Sequence, residues 1–254
     1  MLSNTPEAPA ALVTGASRRI GAAIARALHS KGYNLAIHYD RSKDEALALC
    51  RELARSRDNS ATVFQADLRS EGDILKLAKE VTERWQRLEV VVNNASVFYP
   101  TPLEACNLDQ WNDLLDCNLR GPFLLLQALA TPLRQNRGRV VNIVDIYARQ
   151  PLKDYSVYCI AKAGLAALTR CLALELAPGV RVNGIAPGAI LWPDGPARMS
   201  ADAQNSLMKE IPLGRLGTVE EIAALAAFLT DGSGYITGQI IAIDGGLGLK
   251  GNSA

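Results

Sequence analysis

Seven runs rich in Val, Ile, Leu and Ala recur along the chain, at residues 10–14, 34–39, 61–66, 89–92, 139–144, 180–185 and 239–243. They do not alternate apolar with polar positions. A strand with one wet face would alternate, so these runs predict strands covered on both faces. Between them, apolar residues return at three- and four-residue spacing, predicting helices over 20–30, 43–57, 71–86, 108–133, 155–176 and 219–230. This strand–helix rhythm predicts an α/β fold: a parallel sheet with right-handed crossovers and helices on both faces. No Pro-, Gly- or Ser-rich linker, internal repeat or low-complexity stretch interrupts it. Residues 1–254 therefore read as a single domain, with 1–9 a flexible lead-in. Residues 189–216 form the longest stretch without a periodic pattern, too long for an idle connection, and read as a substrate loop or lid.

Composition narrows the function. The chain is 48% hydrophobic and 21% charged, enough apolar residue for a sizeable core. Lys plus Arg is 27 against 26 for Asp plus Glu, a balance that gives no reason to expect a nucleic-acid groove or a membrane-surface patch. No run reaches the ~18 consecutive apolar residues of a membrane span, and residues 1–9 lack the basic and apolar regions of a secretion signal. The five cysteines (Cys50, Cys106, Cys117, Cys159 and Cys171) form no C-x-x-C pair and lie mostly in apolar helical patterns. That suits reduced thiols in a cytoplasmic protein. His29 and His38 are the only imidazoles and sit in no ligand-like cluster, so a metal site is not expected.

Two stretches carry candidate chemistry. The turn Thr14-Gly15-Ala16-Ser17-Arg18-Arg19-Ile20-Gly21 follows a predicted strand and opens a predicted helix. Such a turn aims backbone N–H groups and the positive helix end at a phosphate, although a tight structural turn would look alike. Further on, Tyr158 and Lys162 are four residues apart on one helix face. The lysine charge is expected to lower the tyrosine pKa from its reference near ~10, which would make the phenol a proton donor near neutral pH. Tyr-x-x-x-Lys is also a common surface spacing. The strand before it ends on Asp145, which reads as a helix cap, a surface carboxylate, or a partly buried acid beside Tyr158.

Thr14-Gly15-x-x-x-Arg19-x-Gly21, Asn93-Asn94-Ala95, Asn118, Tyr158-x-x-x-Lys162 and Pro187-Gly188 together resemble the short-chain dehydrogenase/reductase family, over about residues 10–248. The resemblance implies a Rossmann-like, seven-stranded parallel sheet. Three departures from the general pattern resemble one branch, the pteridine reductases, which reduce biopterin- and folate-type rings with NADPH. Arg19 replaces a turn glycine, Asp145 replaces the usual serine, and Asn93-Asn94-Ala95-Ser96 leads into Val97-Phe98-Tyr99-Pro100-Thr101-Pro102. His38-Tyr39-Asp40-Arg41-Ser42 after the second strand fits the same branch.

That resemblance assigns roles. Gly15, Arg19, Ile20 and Gly21 would hold the pyrophosphate; Arg41 and Ser42, with His38, would hold a 2′-phosphate while Asp40 points elsewhere, and Tyr39 would also contact the cofactor. Asp67 would meet the adenine amine, with the Leu68 backbone beside it. Asn94 and Ala95 would line the ribose side, and Pro187 and Gly188 would also contact the cofactor. Arg19 would also reach the substrate, Ser96 would bond the cofactor or a ring amine, and Phe98 would stack on the pterin. Trp192 reads equally as a pocket wall or a lid anchor. Tyr158 would deliver a proton, Lys162 would bind the nicotinamide ribose, Asn118 would kink its helix and hold a water, and Asp145 would supply a second proton. The branch further implies a homotetramer, with Lys250 entering a neighbouring site. Two other readings stand beside it: a general carbonyl or 3-oxoacyl-thioester reductase, and a non-catalytic NADP(H)-binding regulator.

Overall fold

The computed structural model describes residues 8–192, 195–232 and 234–249. Seven strands form one parallel sheet: β1 (Ala10–Val13), β2 (Asn34–Tyr39), β3 (Ala61–Gln65), β4 (Leu88–Asn93), β5 (Arg139–Ile143), β6 (Arg181–Pro187) and β7 (Ile240–Ile243). Their order is β3-β2-β1-β4-β5-β6-β7. The order reverses between β1 and β4, the switch point where an open sheet of this kind leaves a crevice beyond its strand ends.

The lack of polar alternation has the expected cause. On β1, Ala11 and Val13 pack into one core and Ala10 and Leu12 into the other. The first core is closed by α1 (Arg19–Ser30), α2 (Lys43–Ser56) and α8 (Val219–Ala227), through Ile24, Leu28, Leu49, Leu53 and Ile222. The second is closed by α3 (Glu71–Arg84), α5 (Gly121–Gln135) and α6 (Ser156–Glu175), through Ile74, Leu77, Leu125, Leu129 and Leu172. By length and composition α6 could cross a membrane, yet more than half of its apolar window is buried inside the fold.

Two elements differ from the pattern-based expectation. The single helix over 108–133 is instead α4 (Leu108–Leu115), a π-helical turn (Asp116–Arg120) and α5. Pro122 has no N–H for the carbonyl of Asn118, and the Gly121 N–H reaches back five residues to Asp116 O. The 189–216 stretch is not wholly irregular: it holds a short 3₁₀ turn (Gly195–Ala197) and α7 (Ala201–Glu210). Ser200 caps α7 by accepting from Ala203 N, but no residue of α7 is buried, so no strong apolar stripe marks it in the sequence.

The turn between β1 and α1 is packed too tightly for a side chain at Gly21. A Cβ there would lie 2.3 Å from Gly15 O and 2.6 Å from Asn94 Nδ2. Gly21→Ala is therefore expected to cost on the order of 1–3 kcal/mol, read from urea unfolding midpoints. An unchanged midpoint would contradict this packing.

Candidate functional site

The turn is held from below by buried polar groups. Thr14 Oγ1 accepts from Asn94 N (2.9 Å) and Ala95 N (3.0 Å) and donates to Val92 O. The Asn94 amide donates to Thr14 O and Gly15 O, so Asn94 fixes the turn as well as lining the crevice. Gly15 (φ 60°) and Arg19 (φ 54°) both take left-handed backbone. That conformation favours glycine, and Arg19 adopts it at the start of α1. Arg19 Nη2 donates to Trp192 O at 3.1 Å. The residue before α1, Arg18, makes no side-chain cap. Arg18 therefore supplies no side-chain acceptor to the first turn of α1, the helix end at which N–H groups are offered to an anion.

His38 does not stand where a 2′-phosphate would need it. Its ring is 1% exposed. Nδ1 accepts from Gly15 N and Nε2 meets Ala66 O, each at 3.0 Å, which requires the neutral tautomer protonated on Nε2. Burial lowers its pKa to about 4 and keeps it neutral. It is a strut beneath the turn. The Tyr39 and Leu68 side chains are buried as well. Arg41 is the exposed cation of this corner, 82% open, with Ser42 partly exposed beside it at the start of α2. Asp67 is gripped by Arg69, whose Nε and Nη2 donate to its two oxygens at 2.7 and 3.0 Å, and this contact lowers its pKa. Arg69 was not among the residues expected here, although it directly follows Asp67-Leu68.

Beyond the ends of β1, β4, β5 and β6 lies a cavity of about 180 Å³. It gathers Arg19, Ile20, Asn94, Ser96, Asp145, Tyr158, Lys162, Pro187 and Gly188, with Ile190 and Leu191 from the segment after β6. Asp145 is both a cap and a partner of the tyrosine. One carboxylate oxygen accepts from Tyr147 N (2.9 Å), capping a short 3₁₀ turn, and the other accepts from Tyr158 Oη (2.7 Å). Lys162 is 2% exposed and donates to Ile143 O at 3.0 Å.

The electrostatics differ from the expectation for Tyr158. Burial and the adjacent Asp145 carboxylate raise its pKa well above the ordinary tyrosine value, the opposite of the lowering expected from Lys162. The lysine ammonium lies 5.6 Å from the ring centroid, too remote to outweigh a carboxylate bonded to the phenol. Burial raises the Asp145 pKa and lowers that of Lys162 to about 8. The cavity thus presents a neutral phenol bonded to an acid that takes up a proton readily, with an ammonium that sheds one readily.

The neighbouring residues complete the wall. Asn118, in the π-helical turn, donates to Leu114 O (2.9 Å) and Val97 O (3.0 Å) and accepts from Ser96 Oγ (2.6 Å). It lies inside the π-helical turn that separates α4 from α5. Phe98 does not face the cavity freely: it stacks on Tyr155 with centroids 4.6 Å apart and meets Tyr158 edge-on at 4.8 Å. A ring entering to stack on the covered face of Phe98 would have to displace Tyr155. Trp192 contributes its carbonyl to Arg19, while Leu191 supplies the apolar lining. Lys250 lies outside the described residues.

A family model described as enoyl-(acyl carrier protein) reductase matches residues 15–248. Pteridine reductase 1 of Leishmania tarentolae is 36% identical over 289 aligned residues, covering 98% of this chain and 99% of that protein. 3-oxoacyl-(acyl-carrier-protein) reductase FabG of Staphylococcus epidermidis is 37% identical over 241 residues, covering 93% of this chain and 98% of its own. The Staphylococcus aureus counterpart is likewise 37% identical, with 97% of its length covered. The chain belongs to the short-chain dehydrogenase/reductase family.

Members of that family use nicotinamide cofactors, and the residues of this reductase fit one. The amides at the start of α1 suit a pyrophosphate. The left-handed backbone at Gly15 keeps the turn low and open. The crevice at the β1/β4 switch point leads from the turn to the cavity holding Tyr158 and Lys162. The residues placed outside the cavity, Arg41, Ser42 and Asp67, lie at the ends of β2 and β3, on the other side of the turn. They are suited to the adenosine end of the reductase's cofactor.

Proposed function

We propose that this short-chain reductase uses NADPH to reduce a C=N bond of a pterin ring, of the dihydrobiopterin class or a folate or dihydrofolate. The observation that carries the reading is the Asp145–Tyr158 pair. A ketone reductase needs a second hydrogen-bond donor for the substrate oxygen beside the tyrosine, and serine supplies it in most family members. An ionised carboxylate only accepts. A pterin, by contrast, offers ring N–H groups to an acceptor and basic nitrogens to a donor.

Bound NADPH supplies the hydride. Tyr158 gives its phenolic proton to the ring nitrogen, so carbon and nitrogen each gain one hydrogen. The raised pKa of Asp145 lets it carry a proton for a second reduction of a fully oxidised ring. Lys162, cationic below about pH 8, holds the ribose end and offsets the negative charge left on the phenol and carboxylate. Exposed apolar side chains on α4 and α5 (Leu108, Trp111, Phe123) and on α6 (Ile160, Leu174) support assembly as a homotetramer.

The comparable identity to 3-oxoacyl-(acyl-carrier-protein) reductases favours a carbonyl reductase as the second reading. Following NADPH oxidation with dihydrobiopterin, dihydrofolate, folate and a 3-oxoacyl thioester separates the two. Preference for the thioester would overturn the pterin reading. The pH profile adds an independent check. The pKa of Lys162 is depressed, so its charge is present below about pH 8 and lost above it. With a dihydropterin, kcat/KM is expected to fall as pH rises through that value. A profile flat to about pH 10 would exclude this role for Lys162.

A further inference from the structure

Asp40 stands just beyond β2, where an acidic residue ordinarily accepts from a ribose 2′-hydroxyl and so disfavours a 2′-phosphate. Its neighbour Arg41 is the exposed cation that a 2′-phosphate requires. The two side chains are in competition with that phosphate, because Asp40 Oδ2 lies 3.6 Å from Arg41 Nε. By itself, Asp40 would both occupy Arg41 and add negative charge where the phosphate must sit. Arg69 alters this balance: its Nη2 lies 3.4 Å from the same Asp40 oxygen.

We propose that Arg69 is a specificity-determining positioning residue, which competes with Arg41 for the same Asp40 oxygen, loosens its hold on Arg41 and so admits the 2′-phosphate. This rests on the NADPH reading above. Arg69 is well fixed for the task. Its Nε and Nη2 are forked onto Asp67, its Nη1 donates to Asp113 Oδ1 at 2.7 Å, and its carbonyl accepts from Arg120 Nη2 at 2.9 Å. A guanidinium held by two other carboxylates, on a backbone fixed by Arg120, does not follow Asp40; Asp40 comes to it. Lysine, a point charge without a planar fork, could not serve Asp67, Asp113 and Asp40 in this geometry. Asp67 stays ionised across the neutral range because Arg69 lowers its pKa, so the anchor persists at working pH. The Asp40 backbone is fixed separately, its carbonyl accepting from Gln65 Nε2 at 3.0 Å, so the choice between Arg41 and Arg69 belongs to the side chain.

Titrating the full chain with NADPH and with NADH, followed by nicotinamide fluorescence, reads both affinities without turnover. The wild type is expected to bind NADPH at least about tenfold more tightly than NADH. Arg69→Met is expected to weaken NADPH roughly tenfold and to leave NADH within about threefold. Adding Asp40→Asn to Arg69→Met is expected to restore NADPH affinity. Asp40→Asn in the wild-type background covers the case in which Arg69→Met does not fold. With Arg69 already engaging Asp40, that exposed change is expected to shift the NADPH:NADH ratio by less than about threefold. Equal weakening of both cofactors by Arg69→Met would overturn the role of Arg69. So would absence of rescue, or a gain of about tenfold in NADPH preference from Asp40→Asn in the wild type. A wild type that prefers NADH refutes the NADPH reading itself, whatever the variants do, and the proposal falls with it.

Discussion

Tyr158→Phe is expected to lower kcat for the proposed pterin reduction by roughly 10²–10⁴-fold, the usual worth of a positioned proton donor. The substitution removes one oxygen from a buried ring that keeps its edge-on contact with Phe98 and its place over the Lys162 ammonium. Packing and cofactor affinity should therefore hold, and NADPH titration should give a dissociation constant within about threefold of wild type. The loss falls on kcat because the proton moves only as the hydride arrives. One partner of the phenol registers its removal: Asp145 loses a donated hydrogen bond that had opposed its upward pKa shift, while the Phe98–Tyr155 stack is left unchanged. The Asp145 carboxyl should then titrate at still higher pH, visible as its infrared carbonyl band persisting further toward neutrality. A variant retaining more than about a tenth of wild-type kcat would remove Tyr158 from the proton step.

Asp145→Ser is expected to reverse the substrate preference. Activity with dihydropterin should fall by about 10²-fold, while activity with a 3-oxoacyl thioester rises. The carboxylate acts on this site in three ways. It accepts from the phenol, caps the 3₁₀ turn through Tyr147 N, and helps hold the Tyr158 pKa high. Serine can still cap the turn. It can also donate to a substrate oxygen, which the ionised carboxylate cannot. With the negative charge gone, the Tyr158 pKa should move down, detectable by ultraviolet titration of the phenol. Unchanged folate and dihydropterin activity in this variant would remove the basis for assigning a ring substrate from Asp145.

Much of the fold was legible because the sheet is covered on both faces. Residues such as Ala10 through Val13 must all be apolar to fill two cores at once. The helix break at Asn118 was harder to place from periodicity. The apolar spacing continues through residues 116–120, and only the missing N–H of Pro122 marks the change in winding. The members of the site were readable as a set, while their states were not. Lys162 is near Tyr158 in sequence and on the same helix, but the decisive charge comes from Asp145, brought from the end of β5. His38 looked like a surface ligand because it stands next to Tyr39-Asp40-Arg41. Strand alternation turns its ring inward, under Gly15. Arg69 stands next to Asp67-Leu68 in sequence, but no local pattern joins it to its other two acidic partners, at positions 40 and 113.

Helix α7 buries none of its residues, although Leu207 and Met208 lean against a small cluster that includes Ile211 and Leu247. Its attachment to the body is consequently worth little more than the partial cover of two side chains, and its amides belong at the low end of local opening free energies. Hydrogen exchange in this helix should outpace that of α6 by orders of magnitude. Helix α7 is then expected to open locally while the sheet and the cavity walls stay folded.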